Sequence, residues 1–163
     1  MQDLGTLPGG SQSWAYGVND LGQVVGSSTN ETGDLHAVLW TQVEPTHDVA
    51  VTSASADPAV ALAGTPVTIT ATVENQGDLP ETFEVNAFAD SVLVGTVTVT
   101  NLAAGDSQTV SFTWDTTGFE PGIWSVTIEA VAVPGETDLA DNQLAARVVL
   151  ILPGHLDPPL PPI

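Results

Sequence analysis

Cysteine and lysine are both absent from the 163 residues, and the single arginine, Arg147, is set against 20 acidic side chains. Without thiols there is no disulfide framework, no thiolate zinc site and no cysteine nucleophile. Without lysine there is no Schiff-base chemistry and no Lys–Asn isopeptide staple. The formal charge of −19 repels phosphates and anionic headgroups, so it argues against nucleic acid and membrane surfaces as partners. Divalent cations and high salt suit such a chain better, because they bridge or screen carboxylates. No apolar run approaches the roughly 18 residues of a membrane-spanning helix, so membrane insertion is not expected. No leader pattern follows Met1-Gln2-Asp3-Leu4-Gly5; the expectation is a removed leader or a fragment of a longer chain.

With 42% hydrophobic and 13% charged residues, the chain can build a packed core and is not globally disordered. Its most informative stretch is Thr65–Asn75. Val67, Ile69, Ala71 and Val73 share one parity, and Thr68, Thr70 and Thr72 the other. That period of two is a strand with a dry face and a wet one. Between about Asp48 and Leu152 the pattern predicts seven strands, over 48–55, 65–75, 82–89, 92–100, 107–115, 122–133 and 143–151. Such spacing predicts an immunoglobulin-like β-sandwich. Val67, Ile69 and Val73 should form its core with Val110, Phe112 and Trp114 of one strand and Trp124, Val126, Ile128 and Ala130 of another.

Residues 1–43 read as a separate small unit of four short strands between Gly-rich turns: Leu4–Leu7, Trp14–Val18, Gln23–Ser27 and His36–Thr41. Residues 44–47, around Glu44-Pro45-Thr46, read as a linker, 48–152 as the sandwich, and 153–163 as a proline-rich tail in extended polyproline II form. The whole chain is expected to be all-β.

Two resemblances follow from these residues. Asp3-Leu4-Gly5-Thr6-Leu7, Ala15-Tyr16-Gly17-Val18-Asn19, Gly22-Gln23-Val24-Val25-Gly26 and His36-Ala37-Val38-Leu39-Trp40 resemble one HAF repeat, an extracellular repeat of bacteria and archaea, with Val38 in place of its phenylalanine. Asp48-Val49-Ala50-Val51, Gly64 with Val67-Thr68-Ile69, and Val73-Glu74-Asn75-Gln76-Gly77 resemble the CARDB family. So do Leu102-Ala103-Ala104-Gly105-Asp106-Ser107, Gly122 with Trp124, and Asp138-Leu139-Ala140-Asp141-Asn142. This family of cell-adhesion-related, immunoglobulin-like domains usually closes the last motif with paired asparagines, where Gln143 follows Asn142 here. The resemblances imply a prokaryotic, extracellular cell-surface location.

Candidate chemistry is sparse. His36, His47 and His155 lie in three segments without a close-spaced ligand partner and read as structural. Serines and threonines alternate with apolar residues as wet strand positions, without an elbow or a matching His and Asp. Carboxylates are scattered through turns rather than gathered in a cleft. No catalytic residue and no resident cofactor is expected, so the chain reads as a non-enzyme. The densest oxygen cluster is Glu136, Asp138, Asp141 and Asn142, whose hard donors suit Ca²⁺; the spacing is not that of an EF-hand, and the same residues are ordinary turn formers. Asn30-Glu31-Thr32 is a glycosylation sequon. A lone hairpin unit of about 40 residues buries little of its own apolar face. Leu7, Trp14, Tyr16, Val24 and Trp40, with Leu160 and Ile163 of the tail, are therefore the expected assembly surface. The resulting expectation is a structural surface protein that associates head to tail with its own copies or with other surface domains. The alternative is an adhesion or stalk module for a carbohydrate or protein, assisted by Ca²⁺.

Overall fold

The computed structural model describes residues 3–154, and all of its regular structure is β. The chain divides into two compact units, Met1–Glu44 and Pro45–Ile163.

The front unit is one antiparallel sheet in the order β1 (Ser13–Val18), β2 (Val24–Thr29), β3 (Leu35–Trp40). Its two hairpin turns are built alike. Asn19 Oδ1 accepts the N–H groups of Leu21 and Gln23 at 3.0 and 2.9 Å, and Asn30 Oδ1 those of Thr32 and Asp34 at the same distances. Each turn closes through a glycine in the left-handed region, Gly22 at φ 74° and Gly33 at φ 84°, where a side chain would be strained.

Three strands form here, not four, because Leu4–Leu7 joins no ladder. Leu7 N–H donates to the Ser28 hydroxyl at 2.9 Å, and its carbonyl closes the Pro8-Gly9-Gly10 turn. Ser11 and Gln12 likewise donate to the Thr29 hydroxyl at 3.1 and 3.2 Å. The leading segment is thus tied down by side chains of β2. A Cβ on Gly10 would lie 1.8 Å from the Thr29 carbonyl, so glycine is required at that approach.

The second unit is a two-sheet sandwich. Its strands are β4 (Val49–Asp57), β5 (Val60–Leu62), β6 (Pro66–Asn75), β7 (Glu81–Ala89), β8 (Val92–Leu102), β9 (Ser107–Asp115), β10 (Gly122–Ala130) and β11 (Gln143–Leu152). One sheet runs β5-β11-β10-β7-β8 and the other β4-β6-β9. All pairings are antiparallel except that of β5 with β11.

The core lies between the sheets. Val67, Ile69, Ala71 and Val73 of β6 are fully buried, opposite Val110, Phe112 and Trp114 of β9 and against Val126, Ile128 and Ala130 of β10. At about 1.5–3 kcal/mol for each large aliphatic side chain taken from water, these residues outweigh any single polar contact in the fold. Trp124 shares their parity but is half-buried at the rim, edge-on to Trp114 and Phe119.

Two boundaries depart from the periodic reading. The eighth strand, β5, is too short to show a period, and it follows Pro58, which carries no donor. Strand β10 ends at Ala130 rather than 133, because Val133 N–H turns to the Glu136 carboxylate at 2.8 Å.

Candidate functional site

Three places are candidate sites: a loop cluster at one end of the sandwich, an aromatic rim, and the faces of the front sheet.

The loop cluster forms where the start of β4 meets the segment between β10 and β11. Glu136 holds it together. Its Oε1 accepts Val49 N–H at 2.8 Å and Asn142 Nδ2 at 3.0 Å, and its Oε2 accepts Val133 N–H. Asn142, only 5% exposed, also donates to the carbonyls of Val49 and Ala130 at 3.1 and 3.3 Å. Val51 N–H donates to the Asp141 carbonyl at 2.9 Å. Asp138 caps its own turn through Ala140 N–H.

Of the four residues read from sequence as cation donors, then, Glu136 and Asn142 touch, Glu136 is largely consumed by donors, and Asp138 serves a turn. Among the described residues, no group of three or more His, Asp or Glu is arranged to hold a metal ion. Asp48 is the member that sequence reasoning missed. Burial pushes its carboxyl above the usual carboxylate range, and the nearby charges of Asp141, Glu136 and Asp138 push the same way. Nothing in local spacing reveals this, since 93 residues separate Asn142 from its partner Val49.

The second glycine-bearing motif, Asn75-Gln76-Gly77, is architectural. Asn75 is fully buried and fully bonded, donating to the carbonyls of Leu79 and Leu102 and accepting Gly77 N–H. A Cβ on Gly77 would come within 2.6 Å of the Thr46 carbonyl. Thr46 in turn donates to Asp78 through its N–H and its hydroxyl, both at 2.8 Å. Residues 46 and 47, read as linker, are therefore stitched into the sandwich.

At the aromatic rim, Phe119 and Trp124 pack edge to face with centroids 5.0 Å apart. Trp124 Nε1 donates to the Glu120 carbonyl. With Val92, Thr117 and Gly118 they line an open depression of about 300 Å³.

The front sheet separates the residues read as one assembly surface. Trp14 stands opposite Ser27, and the Tyr16 hydroxyl bonds Ser27 Oγ at 2.6 Å, so both share the face that carries the cross-strand pair Val25–Leu39. Val24 and Trp40 pair on the opposite face, where Trp40 lies over Gly26. Leu7 is half-buried beside Ser28. Leu160 and Ile163 lie outside the described residues, as do His155 and most of the proline-rich tail.

Asn30, the sequon residue, directs its Nδ2 at His36 Nε2, 3.1 Å away. His47 pairs with Glu81 at 2.5 Å. The two described histidines thus serve separate local contacts.

The fold defines an immunoglobulin-like β-sandwich module with a small β unit in front. A family model described as CARDB matches residues 46–145. A domain from Methanosarcina acetivorans, whose name places it at the cell surface, is 32% identical over 66% of this chain and 93% of its own, with a TM-score of 0.51. The CARDB domain of a Pyrococcus furiosus protein, crystallised with di-metal ions, shares the fold at 18% identity. That match covers 69% of this chain and 99% of that one, with a TM-score of 0.54. The solution structure of the same domain matches at 16% identity over 67% and 98%, with a TM-score of 0.53. No curated protein matches the chain.

The chain belongs to the CARDB family, whose model covers most of the sandwich.

Proposed function

We propose that this chain is a non-enzymatic structural module of a prokaryotic cell surface, and that its copies associate head to tail through the front unit. One observation carries the reading. On a single face of the front sheet, Trp14 is 44% exposed, Tyr16 70%, Val25 52% and Leu39 57%. An apolar patch of this kind marks an interaction surface. The occupant we assign is a second copy of the chain. The patch residues carry no charge, and the acids of the unit, such as Asp20, Glu31 and Asp34, sit in its turns. Two strongly anionic molecules can therefore meet there without forcing carboxylates together. Both outer strands, β1 and β3, also present unpaired edges to a neighbour. A contact between this patch and a different surface of the next molecule is heterologous, and such contacts build fibres when the rotation does not close. Reading residues 3–41 as a HAF repeat agrees with this role, since repeats of that kind cover one another in tandem. Electron micrographs of purified protein test the proposal: fibres or arrays support it, and dispersed single particles at every concentration contradict it.

A second reading, an adhesion or stalk module that binds a carbohydrate or protein with the help of Ca²⁺, is favoured by the aromatic rim. Phe119 and Trp124 border a shallow depression of the kind on which sugar rings stack. Calorimetry with glycans checks it, and saturable heat lost in Trp124→Ala is the supporting result.

A further inference from the structure

We infer that the sandwich binds one hard divalent cation, Ca²⁺ by preference, through the side-chain oxygens of Asp48, Asp141 and Asn142 at the seam between β4 and the loop before β11. The inference starts from three oxygens. Asp48 Oδ1, Asp141 Oδ1 and Asn142 Oδ1 are all buried, and none has a hydrogen-bond partner. A buried acceptor left without a donor costs roughly 1–3 kcal/mol, and more when it is charged. Three within one cluster of neighbouring residues call for a common explanation.

The orientation of Asn142 is not open to reversal. Its Nδ2 faces two backbone carbonyls and the Glu136 carboxylate, all acceptors, so the amide must present its nitrogen there and its oxygen elsewhere. Glu136 thus acts as a positioning residue, fixing the amide so that Oδ1 remains available. The flanking backbone brings the two aspartates to the same crossing. Asp48 precedes Val49, which bonds both Glu136 and Asn142, and Asp141 precedes Asn142 and accepts Val51 N–H.

Among the described residues, no salt bridge reaches this cluster. Arg147 is the sole Lys or Arg, it lies exposed on β11, and the described ion pair is His47–Glu81.

The donor set decides the ion. Two carboxylates and an amide are all hard oxygen ligands, which Zn²⁺ and softer metals do not select. Ca²⁺ accepts irregular arrangements of six to eight oxygens and completes them with water, whereas Mg²⁺ demands a near-ideal octahedron. Two charges rather than three or four place the site with the weak extracellular class, with a dissociation constant of about 0.1–1 mM. A cation here would tie the first strand of the sandwich to the loop that leads into its last. The inference is independent of assembly, because a monomer could bind Ca²⁺ equally well.

The test is calorimetric titration of the metal-stripped full chain with CaCl₂ at constant ionic strength, with thermal melts and amide chemical shifts recorded alongside. One saturable site, a higher melting temperature, and shifts concentrated at Val49, Val51, Asp141 and Asn142 are expected. Asp48→Asn should weaken binding at least tenfold while the metal-free protein melts no lower, because a repelled charge has been removed. Asp141→Asn should weaken Ca²⁺ similarly and carries the test should the first variant not fold. Asp57→Asn, an exposed charge at the far end of β4, should leave the affinity unchanged. Absence of saturable binding overturns the inference. So does an equal loss in Asp57→Asn, which would mean diffuse attraction to an anionic chain.

Discussion

The front sheet and the sandwich use the same β alternation with opposite results. In the sandwich, two sheets face each other, and the apolar parity of each strand closes against the other sheet. In the front unit there is one sheet, and among its described residues no apolar side chain belongs to the buried core. What it buries is polar: Ser27, Ser28 and Thr29 of β2, two of them bonded to the leading segment. Alternation alone therefore makes a strand but not a core. A core needs a second layer, and 44 residues do not provide one.

Several substitutions sharpen or break this contrast. The largest effect belongs to Trp114→Ala, at 1% exposure beneath both sheets, which should destabilise the sandwich by about 3–5 kcal/mol in chemical denaturation. Trp14→Ala should leave that transition in place and weaken self-association instead; an equal loss of stability from the two would erase the contrast. Next comes Asn75→Ala, which strands two carbonyls and an amide in the interior and should cost about 1–3 kcal/mol. In the front unit, Ser28→Ala removes the acceptor for Leu7 N–H. It should cost about 1 kcal/mol and appear as faster amide exchange at Leu7, with the sandwich unaffected.

The smallest effect concerns pH. Thr46 N–H and its hydroxyl hold the exposed Asp78 carboxyl below the usual range. The folded-state value is the lower one, so the stabilisation is present above the ordinary carboxylate range and is lost as pH falls through the depressed value. Asp78→Asn should flatten that part of the acid-unfolding curve, with a small loss of stability at neutral pH that vanishes once the wild-type carboxyl is protonated.

How far the fold could be read in advance depended on how much of each strand's environment was periodic. Thr65–Asn75 became β6 with its apolar parity buried as expected, because it pairs along its length with two long strands, β9 in unbroken register and β4 with one shift between Val51 and Ser53. Val60–Leu62 carried too short a signal, since its place beside β11 is set by a parallel pairing that no local pattern encodes. Leu4–Leu7 looked like a strand and is held by hydroxyls instead. At the loop cluster, Glu136, Asp138, Asp141 and Asn142 stand out as adjacent oxygens, but their division of labour does not. Whether a carboxylate is satisfied or orphaned depends on partners almost a hundred residues away, as Glu136 with Val49 shows.

Cover of the front sheet by another copy, as proposed, is tested most directly by sedimentation velocity of the full chain over a wide concentration range. Sedimentation coefficients that climb with concentration, and fall back in Trp14→Asp, are the predicted result. A coefficient fixed at the monomer value up to the solubility limit would contradict it.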